Sequence, residues 1–112
     1  KNKFHQDHIH PKSLLNTRKK LDKLGIPQED IGFYLDNYNT IANLQLLDGT
    51  INEEKSNEQF NTWFFKNYVT EQQQRIYKDI HYIPDCSLDI LNFKEFITKR
   101  SELIITKLKA IL

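Results

Sequence analysis

Three short runs of this 112-residue chain gather side chains able to do acid–base and metal chemistry. The first is Gln6-Asp7-His8-Ile9-His10-Pro11-Lys12-Ser13, and the second is Ile41-Ala42-Asn43-Leu44-Gln45-Leu46-Leu47. The third is Asn52-Glu53-Glu54-Lys55-Ser56-Asn57. A neutral imidazole is suited to taking a proton from water near pH 7, and the first run offers two, His8 and His10. A carboxylate and an amide oxygen are hard donors of the kind that hold Mg²⁺ or Mn²⁺. Lys55 follows Asn52 by three residues, so both lie on one side of a helix start. There a lysine, aided by backbone N–H groups, can steady a phosphate. An Asp-His pair alone is commonplace on surfaces. Its order with Pro11, Ser13, Asn43, Asn52 and Lys55-Ser56 gives it meaning.

The elements that must position these residues can be read from pattern. Phe4 to Pro11 reads as a short strand stopped by proline. Ser13 to Leu24 reads as one helix with Leu14, Leu21 and Leu24 inward and Gly25 as its cap. Pro27 to Asn39 reads as a connector with room for a helical turn. Ile41 to Leu47 alternates as a strand, closed by a turn at Asp48-Gly49. From Asn52 to about Lys66 the pattern is helical, with Phe60, Trp63 and Phe64 as core. A helix is expected over Glu71 to Ile80, and a long amphipathic one from about Asp89 to the end, its stripe marked by Phe93, Ile97, Ile104, Leu108 and Ile111. The reading is a single α+β domain over residues 1–112, with a motif core at about 5–66 and a helical part over 67–112. A strand in residues 4–11 that carries both Asp7 and His8 raises a geometric question. Neighbours in a regular strand point to opposite faces, so one centre can use both only if the strand twists or ends there.

Composition sets outer bounds. With 38% apolar and 28% charged residues the chain suits a globular domain, and 112 residues can bury one core. No run of about eighteen apolar residues exists, so no membrane span is expected. The lone Cys86 leaves no internal disulfide and argues against a four-ligand zinc site, so no structural zinc is expected. A small buried role for Cys86 and a reducing, cytoplasmic setting follow. The chain begins at Lys1 rather than Met, which suggests the C-terminal fragment of a larger protein. Net charge is +1, yet residues 1–25 hold seven Lys/Arg against Asp7 and Asp22, while residues 26–90 hold four against eleven acids. That distribution offers a positive face to a phosphate backbone, or else a set of solvated helix faces.

Strand, strand and helix start, bearing His, Asn and Asn in turn, is the pattern of the HNH nucleases. The D-H-I-x-P-x-S and N-x-x-K-S runs resemble the HNH domain of RNA-guided CRISPR effector nucleases. The longer string N-x-I-A-N-L-Q-L-L-D-G-x-x-N-x-x-K-S-N over 39–57 looks closer to the C-terminal nuclease domain of GmrSD-type, modification-dependent restriction enzymes. The resemblance spans residues 5 to about 66. The F-x-x-F-x-x-x-R run at Phe93, Phe96 and Arg100 adds little to it.

This resemblance implies a ββα-metal (His-Me finger) core of two short antiparallel strands and a helix, surrounded by further helices. It implies a divalent-metal-dependent endonuclease for foreign or modified DNA, in bacterial restriction or anti-phage defence, joined to an upstream sensor or NTPase domain. His8 matches the family's base, Asp7 and Asn52 its metal ligands for Mg²⁺ or Mn²⁺, and Asn43 the middle Asn, which braces the loop that aims the histidine. Lys55 joins the catalytic set, and His10, Lys12 and Ser56 are expected to touch substrate. His10 remains open as a rival base, a phosphate contact or an exposed residue. His5 and His81 are expected to stand outside the chemistry, Asn39 in a turn and Asn57 on a helix surface. Two other readings stay in view: a catalytically silent nucleic-acid-binding or interaction domain of this fold, and a nuclease directed at RNA.

Overall fold

The computed structural model describes residues 4–48 and 57–112. Asn52, Lys55 and Ser56, expected above at the site, therefore lie outside the described residues, as does the second residue of the Asp48-Gly49 turn. The described architecture is α+β. One antiparallel sheet of two strands, β1 (Phe4–His8) and β2 (Leu44–Asp48), is packed among helices. Cα partners run from Phe4 with Asp48 to His8 with Leu44, and the Ile9 N–H extends the pairing by donating to the Asn43 carbonyl at 2.8 Å. No helix of the described residues is long and apolar enough to cross a membrane.

Residues 9–43 fill the connection between the strands with three helices, and here the structure departs from the sequence reading twice. The single helix expected over Ser13 to Leu24 is two: α1 (Lys12–Leu15) and α2 (Arg18–Leu24). Thr17 separates them, because its hydroxyl accepts from the Lys20 N–H and so starts a new helix. Gly25 closes α2 at φ 82°, a left-handed position that suits glycine, with its N–H on the Asp22 carbonyl. The expected connector over Pro27 to Asn39 is a full helix, α3 (Gln28–Asn37). Glu29 and Asp30 in its first turn favour the positive helix end, and Ile31 and Tyr34 bury one side.

A 3₁₀ turn, Ile41–Asn43, leads into β2, so Asn43 sits just before the strand rather than within it. Beyond the strands come α4 (Phe60–Asn67), α5 (Glu71–His81) and, after the 3₁₀ turn Ile90–Asn92, α6 (Phe93–Ile111). The helix expected from Asn52 to about Lys66 is interrupted at residues 57–59, which are not helical, before α4 begins at Phe60. Helix α5 starts with a reciprocal cap between Thr70 and Gln73.

One aromatic-rich core joins these pieces. Phe60, Trp63 and Phe64 of α4 are buried together against Tyr77 of α5, as the sequence reading held. Tyr34 of α3 stacks on Phe93 of α6 at 4.8 Å and donates its phenol proton to the Ile90 carbonyl at 2.8 Å. The apolar stripe of α6 is buried only in its first half. Phe93, Phe96 and Ile97 face the core, whereas Leu108 and Ile111 are exposed.

Candidate active site

The local geometry is set by Asn43, which is wholly buried. Its Oδ1 accepts from the His10 N–H at 2.9 Å, and its Nδ2 donates to the His10 carbonyl at 2.9 Å and the Tyr38 carbonyl at 2.8 Å. One amide thus ties the segment leaving β1 to the segment leaving α3. An amide suits this work because it donates and accepts within one rigid plane. Arg100, also buried, anchors the same corner from α6 by donating to the Ile41 carbonyl at 3.1 Å and the His81 carbonyl at 3.0 Å. Burial pushes its guanidinium down to about 10, which still leaves it charged at neutral pH.

With the loop held this way, β1 ends at His8, and Asp7 and His8 both line one open groove of about 360 Å³. Lys12, Ser13, Asn16 and Asn57 complete much of the rim, and the Ser13 hydroxyl donates to Asn57 Oδ1 at 2.8 Å. Asn57 therefore belongs to the groove rather than to a helix surface. A larger cavity of about 740 Å³ lies between α5 and α6, lined among others by Arg75, Lys78, Tyr82 and Leu103. None of the expected site residues borders it.

His8 Nε2 lies 2.8 Å from Asn39 Oδ1. An amide oxygen can only accept, so Nε2 donates in this contact. Asn39, expected merely in a turn, is thus a polar partner of the His8 ring. Asp7 is 9% exposed, and its Oδ2 accepts from Gln45 Nε2 at 3.2 Å. Gln45 Oε1 in turn accepts from the Tyr77 phenol at 3.2 Å. Burial raises the Tyr77 phenol far above its ordinary value, so it remains a donor. His81, whose ring lies 4.4 Å from that of Tyr77, is pushed down by burial first and by Arg100 second.

The expectation that His10 touches substrate is corrected. Its ring is 0% exposed and sits edge-on among Phe60, Phe93 and Phe96, with centroids 5.9, 5.6 and 4.6 Å away. Since Asn43 clamps both backbone groups of His10, the ring points into the aromatic core and away from the groove. Lys12 is exposed on the groove rim, where a substrate contact is feasible. Gln45 and Tyr77 escaped the sequence reading. A polar residue in an alternating strand is normally assigned outward, and nothing in the sequence pairs it with a tyrosine thirty-two residues later.

Among the described residues no group of three or more His, Cys, Asp or Glu side chains could hold a metal ion, and Asp7 is the carboxylate that borders the groove. Compared with known proteins, the chain matches no family model, and it matches none of the curated proteins.

Proposed function

We propose that this chain is a divalent-metal-dependent endonuclease domain of HNH type that hydrolyses DNA phosphodiester bonds, with β1 and β2 as the strands of its ββα core. The single observation that carries the reading is the setting of His8. It stands at the end of β1, beside Asp7 and Lys12 on one groove, with Nε2 engaged by Asn39. In this reading the His8 imidazole takes a proton from an attacking water. Asp7 and Asn52 would hold Mg²⁺ or Mn²⁺, which supplies charge neutralisation at the phosphate and the leaving oxygen. Gln45 and Tyr77 keep the Asp7 carboxylate in one orientation, and Asn43 holds the His10 backbone two residues beyond His8. Lys12, Lys55 and Ser56 contribute to phosphate binding, the last two on the strength of the sequence pattern alone. The biological setting we propose is restriction or anti-phage defence, with recognition or NTP hydrolysis supplied by a linked domain.

A second reading, a silent nucleic-acid-binding or interaction domain, draws support from the near burial of Asp7 and its bond from Gln45. Digestion of plasmid DNA with Mg²⁺ or Mn²⁺ separates the two. The endonuclease reading expects cleavage that falls by about 100-fold or more in His8→Ala. Cleavage that survives this substitution overturns the role of His8, and a total absence of cleavage favours the silent domain. Parallel digestion of RNA tests the substrate class.

A further inference from the structure

On the far elements many of the described cations are ion-paired: Lys66 with Glu58, Arg75 with Asp79 and Asp85, Lys78 with Asp85, Lys94 with Asp30, and Lys99 with Glu95. Arg100 instead bonds backbone carbonyls, Lys107 lies over the Tyr82 ring, and Lys109 is exposed near the end of α6. Between β1 and α3, Lys12, Arg18, Lys19, Lys20 and Lys23 are all exposed, and none forms an ion pair with another described residue. Asp22 is the sole acid within α2, and it is engaged by the Gln28 amide at 2.6 Å. Leu21 is buried, so Lys19 and Lys23 stand on the opposite side of the helix. Lys20 leans the other way, its ammonium donating to Asn16 Oδ1 at 2.9 Å. Asn16 and Lys12 both line the groove that holds His8. The unpaired charge is therefore continuous with the candidate active site.

We infer that Lys12, Arg18, Lys19, Lys20 and Lys23 form a phosphate track that leads duplex DNA out of the groove along α2. The choice of DNA rests on the endonuclease reading; the track itself rests on the cluster of exposed cations that borders the groove. Helix α2 spans about 10 Å, and duplex DNA presents one negative charge per roughly 1.7 Å of axis, so neighbouring cations on the helix meet neighbouring phosphates. Like charges crowded without acids repel one another in the free chain. Bound backbone relieves that repulsion and releases condensed counterions.

The test measures binding apart from cleavage. A short DNA duplex is titrated with the His8→Ala chain by fluorescence anisotropy between about 50 and 200 mM salt. Double substitution Lys19→Gln and Lys23→Gln should weaken binding and reduce the slope of log affinity against log salt by about 2. The same double change at the ion-paired Lys94 and Lys99 should leave the slope in place. An unchanged slope in the first pair, or an equal fall in the second, overturns the track. Preference for an RNA duplex of the same length overturns the assignment to DNA. Plasmid cleavage by the unsubstituted chain is scored separately, so a failed track with active cleavage, and a sound track without it, are different results.

Discussion

Substituting Asn43 by alanine removes three hydrogen bonds made by one side chain in a fully buried place. What remains is the His10 N–H, the His10 carbonyl and the Tyr38 carbonyl, facing a cavity the size of an amide. A buried polar group left without its partner costs about 1–3 kcal/mol. Carbonyls tolerate partial satisfaction better than N–H groups, so the lower end applies to two of the three, and the sum is about 3 kcal/mol. Against a total stability of about 5–15 kcal/mol for a domain, that is a large share. The chain supplies its own probe. Trp63 is its single tryptophan and is 3% exposed, so urea unfolding can be followed by fluorescence. The midpoint of Asn43→Ala should fall by on the order of 1–2 M urea with little change in slope. Asn67→Ala, at an exposed residue near the end of α4, should shift stability by less than about 0.5 kcal/mol. An Asn43→Ala chain as stable as the parent would refute the reasoning that this amide holds the β1 exit to the turn before β2.

Two further outcomes follow from single contacts. In Asn39→Ala the acceptor opposite His8 Nε2 is lost, so the ¹⁵N shift of Nε2 should move; an unchanged ring would show that another group sets it. Burial raises Tyr34 from 10.0 to about 12 and Tyr77 further, so the fold favours their protonated forms. Their contribution is complete below the unfolded value near 10 and is lost as pH climbs toward 12, so stability should decline across that window. Tyr34→Phe should cost about 1 kcal/mol at neutral pH through its lost bond to Ile90, and should show a shallower alkaline decline in urea titrations.

Particular residues show where the sequence was readable and where it was not. The first strand, expected over Phe4 to Pro11 and found over Phe4–His8, the buried face of Phe60, Trp63 and Phe64, and the helix expected over Glu71 to Ile80 were legible because their signals are local, although the end of the strand was not. The break at Thr17 was also local, but the leucine periodicity on either side masked its cap. Helix α3 was missed although Pro27, Glu29 and Asp30 mark a helix start, since its apolar face is short. The site itself is less legible, because its positioning groups come from distant segments. Asn39 reaches back thirty-one residues to His8, and Gln45 and Asp7 meet only through strand register. His10 carried every sign of a surface ligand, and only the packing of Phe60, Phe93 and Phe96 shows that its ring is part of the core.

The long connection over residues 9–43 has a consequence for how this architecture can change. Most two-stranded antiparallel pairs are joined by a tight hairpin, in which the turn dictates the register. Here the register is enforced at the base of the excursion, by the Ile9–Asn43 backbone bond and the Asn43 amide. No tight turn therefore dictates the alignment, and lengthening the connection costs only about 0.6 kcal/mol per doubling in closure entropy. The helices within it are fixed separately, through Leu15, Leu21, Ile31 and Tyr34 in the core. Exposed stretches between those anchors can change in length while Asp7 stays opposite Gln45 and His8 opposite Leu44.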